Sequence, residues 1–236
     1  MEKLNQQTKM VGVLYLLVVL LAPFVMMYIP SQIIVDGNAS ETVKNLMDNE
    51  LLFRIGIVLK AVVLMTEIMI VTLLYAIFKR VDKTLSIAVA LSRFGMIMIM
   101  GVNLLVSASI LPLITNPASF APLTNGQLDS IIYLMFNIHE YGEYVWGVFN
   151  VVHIALLGYL VVKSKFIPNL IGKALMIGSL GYLLESIKGF LNIDNSFFVG
   201  IASILLVFSM LGEIPLFIWF IANKKIKKEN LENERV

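Results

Sequence analysis

An all-α bundle that crosses a membrane six times is the fold this chain predicts, and three observations carry the prediction. Hydrophobic residues fill 58% of the 236 positions and charged ones only 14%, against about 25% charged in an ordinary soluble domain. The apolar residues gather in six runs, each long enough for the roughly 20 residues a helical span requires. Short connectors between alternate runs are rich in lysine and arginine. The reading is one transmembrane domain over 1–223, followed by a basic, polar tail over 224–236.

The first span is expected over 9–29. Its uncharged core is long for a secretory leader, and Met26-Met27-Tyr28 offers no small-residue cleavage pattern, so it reads as a retained helix. The acidic connector 30–50 contains the turn Asp36-Gly37-Asn38 and a short surface helix over 40–47. Spans two and three follow over 51–78 and 84–114, joined by a tight basic turn. The connector 115–126, with Pro117, Pro122 and Asn125-Gly126, is expected to be irregular. Span four covers 130–162, about 50 Å of helix against a hydrocarbon core of about 30 Å, so a break is expected near Tyr141-Gly142. Spans five and six occupy 170–192 and 197–223, with Gly172, Gly178 and Gly181 placed for close helix contacts.

Orientation follows from the basic residues. Placing the N-terminus inside puts 13 of the 18 lysines and arginines in inner connectors and the tail, and leaves only Lys44 in an outer loop. Both termini are therefore expected in the cytoplasm, and the cytoplasmic membrane is the expected location. The formal charge of +2 is too small and too dispersed for a nucleic-acid partner, so the lipid bilayer is the partner the composition implies. The absence of cysteine excludes disulfides, thiolate metal sites, iron-sulfur clusters and cysteine nucleophiles.

Ionisable groups inside such spans are expensive unless paired or hydrated, which makes each one a functional candidate. His139, Glu143, Trp146, Asn150 and His153 fall within an arc of roughly 80° on the fourth helix. Such a stripe faces a bundle interior, either to fix packing or to line a site. Glu67 and Arg93 lie at nearly equal depth on spans two and three and are expected to pair, as a scaffold or a gate. Arg54 suits snorkelling to the headgroups, whereas Lys60 lies deep enough to need an internal partner. Glu213 lacks a basic partner on its own helix, and His153 and Arg93 are the groups at matching depth. His153 with Glu213 is the expected titratable element. Glu185 and Lys188, an i, i+3 pair, are expected to complete an outer polar cluster with Lys60, Glu143 and Asn150.

Metal and haem are weighed and set aside. His139, Glu143 and Glu185 are the only plausible ligand set, while His153 lies about 21 Å along the helix from His139. Haem would lack partner histidines. No cofactor is expected, and no phosphate loop, HExxH or GxSx pattern is present.

Taken as an ordered set, Leu52-Phe53-Arg54-Ile55-Gly56, Leu74-Tyr75, Ser92-Arg93-Phe94, His139 with Tyr141-Gly142, Phe149 with His153, Gly158-Tyr159-Leu160, Ile167-Pro168 with Ile171-Gly172, Gly181-Tyr182 and Gly212-Glu213 resemble a bacterial and archaeal multi-pass family, domain of unknown function 4386. The resemblance covers nearly the whole chain. It implies an integral membrane protein of this length and brings no activity, substrate or cofactor. It also implies polar residues at Arg54, Glu67, Arg93, His139, His153 and Glu213, and leaves Glu140, Glu143 and Lys188 outside the shared pattern.

The leading expectation is a membrane protein whose buried polar site, built on Arg54, Glu67, Arg93, His139, His153 and Glu213, binds or passes a small molecule, ion or proton. Two other readings stay open. One is a membrane-embedded enzyme acting on a lipid-like substrate at His139, Glu143 and Glu185. The other is a non-catalytic partner or immunity protein with a structural polar core. Oligomeric state is not legible in the sequence.

Overall fold

The computed structural model describes residues 2–222, and the tail 224–236 lies outside them. Among the described residues there is no strand, and six helical stretches are long and apolar enough to cross a membrane. Their surfaces are inverted relative to a soluble protein. Leu91, Met98 and Leu105 are 64%, 55% and 67% exposed, whereas Arg93 on the same helix and Glu67 on the one before it are 5% and 8% exposed. Lipid solvates the apolar faces, so the polar groups turn inward.

The first stretch is α1 (Glu2–Pro23), a π turn (Phe24–Tyr28) and α2 (Ile29–Ile33). The helix begins earlier than hydropathy suggests because its polar first turns remain helical. The π turn has a local cause. Pro30 has no N–H to give, and the Ile29 N–H bonds five residues back to the Phe24 carbonyl.

The expected surface helix forms as α3 (Ala39–Asp48). Asn38 caps it, accepting the Glu41 N–H at 3.1 Å while its amide donates to the Glu41 carboxylate at 2.9 Å. Its buried Val43 and Leu46 join Ile33, Phe53, Ile110 and Ile132 in one apolar core.

Next come α4 (Glu50–Phe78) and α5 (Lys83–Thr115). Asp82 caps α5 through the Leu85 N–H at 2.9 Å and pairs with Lys163 at 2.8 Å. The connector after α5 is a short 3₁₀ turn, Pro117–Phe120, not wholly irregular.

The fourth span, α6 (Asn125–Ser164), is an unbroken helix of 40 residues. The break expected at Tyr141-Gly142 is absent. Gly142 instead admits a neighbour, because a Cβ there would collide with the Asn103 side chain, whose amide donates to the His139 carbonyl at 3.1 Å. The helix starts before residue 130 because Thr124 and Gln127 form a reciprocal cap, the Thr124 N–H donating to Gln127 Oε1 at 2.8 Å.

The last two helices are α7 (Asn169–Leu191), ended by Asn192 at φ 49°, and α8 (Ser196–Ala222). They pack closely where glycine permits it. A Cβ on Gly181 would lie 2.6 Å from the Leu206 nitrogen, and α7 meets α6 in the same way, where a Cβ on Gly172 would strike the Gly158 carbonyl.

The chain divides into two compact units. Unit one comprises Met1–Leu16, Thr66–Ile97 and Tyr144–Val236; unit two comprises Leu17–Met65 and Met98–Glu143.

Candidate functional site

Unit one contains a buried network centred on Arg93. Its Nε and Nη2 both approach Glu67 Oε2, at 2.7 and 2.6 Å, and Nη1 reaches Tyr15 Oη at 2.9 Å and His153 Nε2 at 2.8 Å. The guanidinium also sits 5.1 Å from the Tyr15 ring centre. Arginine has donors only, so His153 Nε2 must accept and the ring proton must sit on Nδ1, which donates to the Val89 carbonyl at 3.0 Å. The imidazole is therefore neutral and fully committed. Glu67 and Arg93 meet as their equal depth predicts.

Glu213 makes different contacts from those expected. It accepts from Ser209 Oγ, one turn earlier on α8, at 2.5 Å and from Tyr182 Oη on α7 at 3.1 Å. The Tyr182 hydroxyl also lies within hydrogen-bonding reach of Asn150, and its ring packs edge-on against Trp146. The direct His153 to Glu213 pair is absent, because each group has found nearer hydroxyl, guanidinium or carbonyl partners.

Unit two holds the second group of candidates. Lys60 Nζ lies 2.8 Å from His139 Nε2. As an ammonium, Lys60 only donates, so Nε2 accepts and the Nδ1 proton faces Glu143 Oε1 at 3.5 Å. The sequence-based demand for an internal partner to Lys60 is thus met by a histidine. These three residues line a cavity of about 360 Å³. Its wall comes from one face of α4, at Phe53, Gly56, Ile57 and Lys60, and one face of α6, at Tyr133, Phe136, Asn137 and Glu140. The spacing is the i, i+3, i+4, i+7 pattern of a helix face. Gly56 lets the Ile29 side chain approach closely, since a Cβ there would lie 2.9 Å from the Ile29 Cδ1.

Several candidates fall elsewhere. Arg54 pairs with Glu50 one turn earlier at 2.7 Å, with both side chains about two-fifths exposed at 41% and 42%. It lines no part of the cavity. Glu185 and Lys188 pair with each other at 3.4 Å. Of the expected outer cluster, Lys60 and Glu143 gather around His139 within unit two, while within unit one Asn150 belongs to the Tyr182 group. Among the described residues no three of His, Asp and Glu gather as metal ligands. Tyr15 and Tyr182 escaped the sequence reading. The signal for them is a phenol within an apolar run, whose hydroxyl needs a buried partner.

Apolar helices that turn charged groups such as Glu67 and Arg93 toward one another define a multi-pass α-helical membrane protein. The chain belongs to the family described as Domain of unknown function (DUF4386), whose model matches residues 10–223. No curated protein and no solved structure matches it.

Proposed function

We propose that this protein binds a small organic molecule in the cavity of unit two, with Lys60 as the anchoring group. One observation supports this above the rest. A lysine about ten residues inside a span has a single hydrogen bond, to a neutral imidazole, and its remaining donors open onto a 360 Å³ space. Ligand pockets begin at roughly that size and combine apolar walls with a few polar groups. An ammonium left with unused donors in such a place favours an acceptor brought by a ligand.

The network around Arg93 supports a different duty. Four of the five Arg93 donors meet acceptors, and the void beside His153 has no room for a water. We assign Glu67, Arg93, Tyr15 and His153 to scaffolding, which favours binding over proton passage as the role of the site. Location in the cytoplasmic membrane with both termini inside completes the reading.

Thermal unfolding of detergent-purified protein against a metabolite library tests it. At least one compound should raise the midpoint of the wild type and leave that of Lys60→Met unmoved. If nothing stabilises the wild type, or if the shift persists in Lys60→Met, the cavity is not a binding site.

A further inference from the structure

We propose that Lys60 is a nucleophilic amine, with His139 and Glu143 aligned behind it as positioning residues, and that its ligand is a short-chain apolar aldehyde held as an imine. The inference deepens the binding reading above, on which it rests: the acceptor brought to Lys60 is a carbonyl oxygen.

The three side chains follow one another in a line. Lys60 Nζ lies 2.8 Å from His139 Nε2, and His139 Nδ1 lies 3.5 Å from Glu143 Oε1. A lysine serving as a structural cation belongs against a carboxylate, yet here the carboxylate stands one group further back with the imidazole between them. One ammonium is offset by one carboxylate, so charge alone selects neither an anion nor a cation. What the order does provide is a route for a proton. Transfer from Lys60 to Nε2 leaves a neutral amine and puts the resulting imidazolium beside Glu143, with no change in net charge. Nucleophile, base and orienting acid in sequence are the arrangement that activates a side chain for attack. Asp36, Tyr133 and Glu140 also line the cavity, while the hydrogen bond of the amine is to His139.

An aldehyde whose oxygen accepts from Lys60 presents its carbon to the same nitrogen. Once His139 has taken one proton, the nitrogen lone pair attacks the carbonyl carbon, the C=O pair moves to oxygen, and a second N–H proton passes to that oxygen to give a carbinolamine. His139 then returns its proton to the hydroxyl, the C–O bond breaks, and water leaves as the nitrogen lone pair closes a C=N bond. The balance is one ammonium and one aldehyde to one protonated imine and one water, with nothing oxidised or reduced. An ester would acylate the lysine and block the site, whereas an imine forms and hydrolyses reversibly. Ile29, Ile57, Phe53 and Phe136 supply apolar wall for the alkyl chain, and about 360 Å³ suits a short one. Ser31 and Asp36 are exposed lining residues, and Asp36 lies outside the first two spans, so the released water has an exit.

The test treats the full chain in mild detergent with hexanal at neutral pH and traps any imine with cyanoborohydride, which fixes it as an N-hexyl lysine located by peptide mass mapping. Lys60 should be alkylated about tenfold or more faster than Lys44, an exposed lysine of α3. Lys60→Arg keeps the cation and cannot form the imine, so the α4 adduct should vanish while Lys44 reacts as before. Glu143→Gln should slow trapping at Lys60, and Glu143→Asp should restore most of it. His139→Gly should slow it about tenfold; added imidazole should recover the rate, and pyrazole, of similar shape but a far weaker base, should not. Trapping at Lys60 no faster than at Lys44, or a wild-type rate in His139→Gly, would overturn the nucleophile. Should hexanal raise the thermal midpoint of the wild type but not of Lys60→Met and leave no adduct, the imine is wrong and the cavity remains a binding site. With neither shift nor adduct the imine also falls, and the metabolite screen judges the binding reading by itself.

Discussion

Arg93 holds groups of three other helices through one side chain, and its partners differ in what their loss would do. Glu67 is 8% exposed and takes two donors on one oxygen, so removing the guanidinium leaves a buried carboxylate without its counter-charge. Arg93→Met should lower unfolding stability by about 3–5 kcal/mol. Converting both Glu67 and Arg93 to Met should recover most of the loss, since neither charge is then stranded. Chemical unfolding of the three proteins in the same detergent measures it, and a double variant as weak as the single one would argue that the pair has a duty beyond scaffolding. Asp82 offers a pH prediction outside the spans. The Leu85 N–H first, then Lys163, hold its carboxyl below the ordinary range. A depressed folded value means that its contribution is complete above the unfolded value of about 3.9 and is lost as pH falls through the folded one. The wild type should therefore lose thermal midpoint in acid more steeply than Asp82→Asn, whose profile should be flatter in the same window.

At the level of elements, glycine decides which helices touch. Gly142 makes room for Asn103, so Gly142→Ala should destabilise by about 1–3 kcal/mol, and adding Asn103→Ala should relieve part of that. Failure of the second change to help would mean that the glycine serves the backbone of α6 instead. Gly181→Val should be worse, because the obstacle is the α8 backbone at Leu206, which has no alternative rotamer. Loss of monodisperse protein on size exclusion would report it. The element boundaries also explain what was legible in the sequence. Spans were placed well because twenty apolar residues suit few other structures. The start of α6 was missed because Thr124 and Gln127 are a cap whose meaning lies in three-residue spacing, not hydropathy. Pro30 reads as the end of a span, whereas the chain continues through it in a π turn by shifting its hydrogen bond by one residue.

Across the whole molecule, depth could be read and azimuth could not. Counting residues from a turn brought Glu67 to Arg93, and the helical stripe on α6 put His139 and His153 on an inward face. Which neighbour each would meet depends on how helices rotate against one another, so the Lys60 to His139 contact and the separate Glu213 group emerged only in three dimensions. Phenols were invisible for a related reason, since hydropathy scores Tyr15 and Tyr182 by their rings while the hydroxyls do the bonding. Orientation remains a prediction from the lysines and arginines. A fluorescent protein fused after the tail should fluoresce in the cytoplasm and alkaline phosphatase at the same place should be inactive; active phosphatase would reverse the topology.

A cavity that binds a small molecule at Lys60 must be open to small polar reagents, and the absence of cysteine from the chain makes this directly measurable. Ser107 lines the cavity yet is 5% exposed, and Ser92, 7% exposed and in unit one, is not among its lining residues. In native membranes, Ser107→Cys should react with a small water-soluble thiosulfonate roughly tenfold or more faster than Ser92→Cys. Equal and slow modification of the two would show a dry interior and no site for Lys60 to serve.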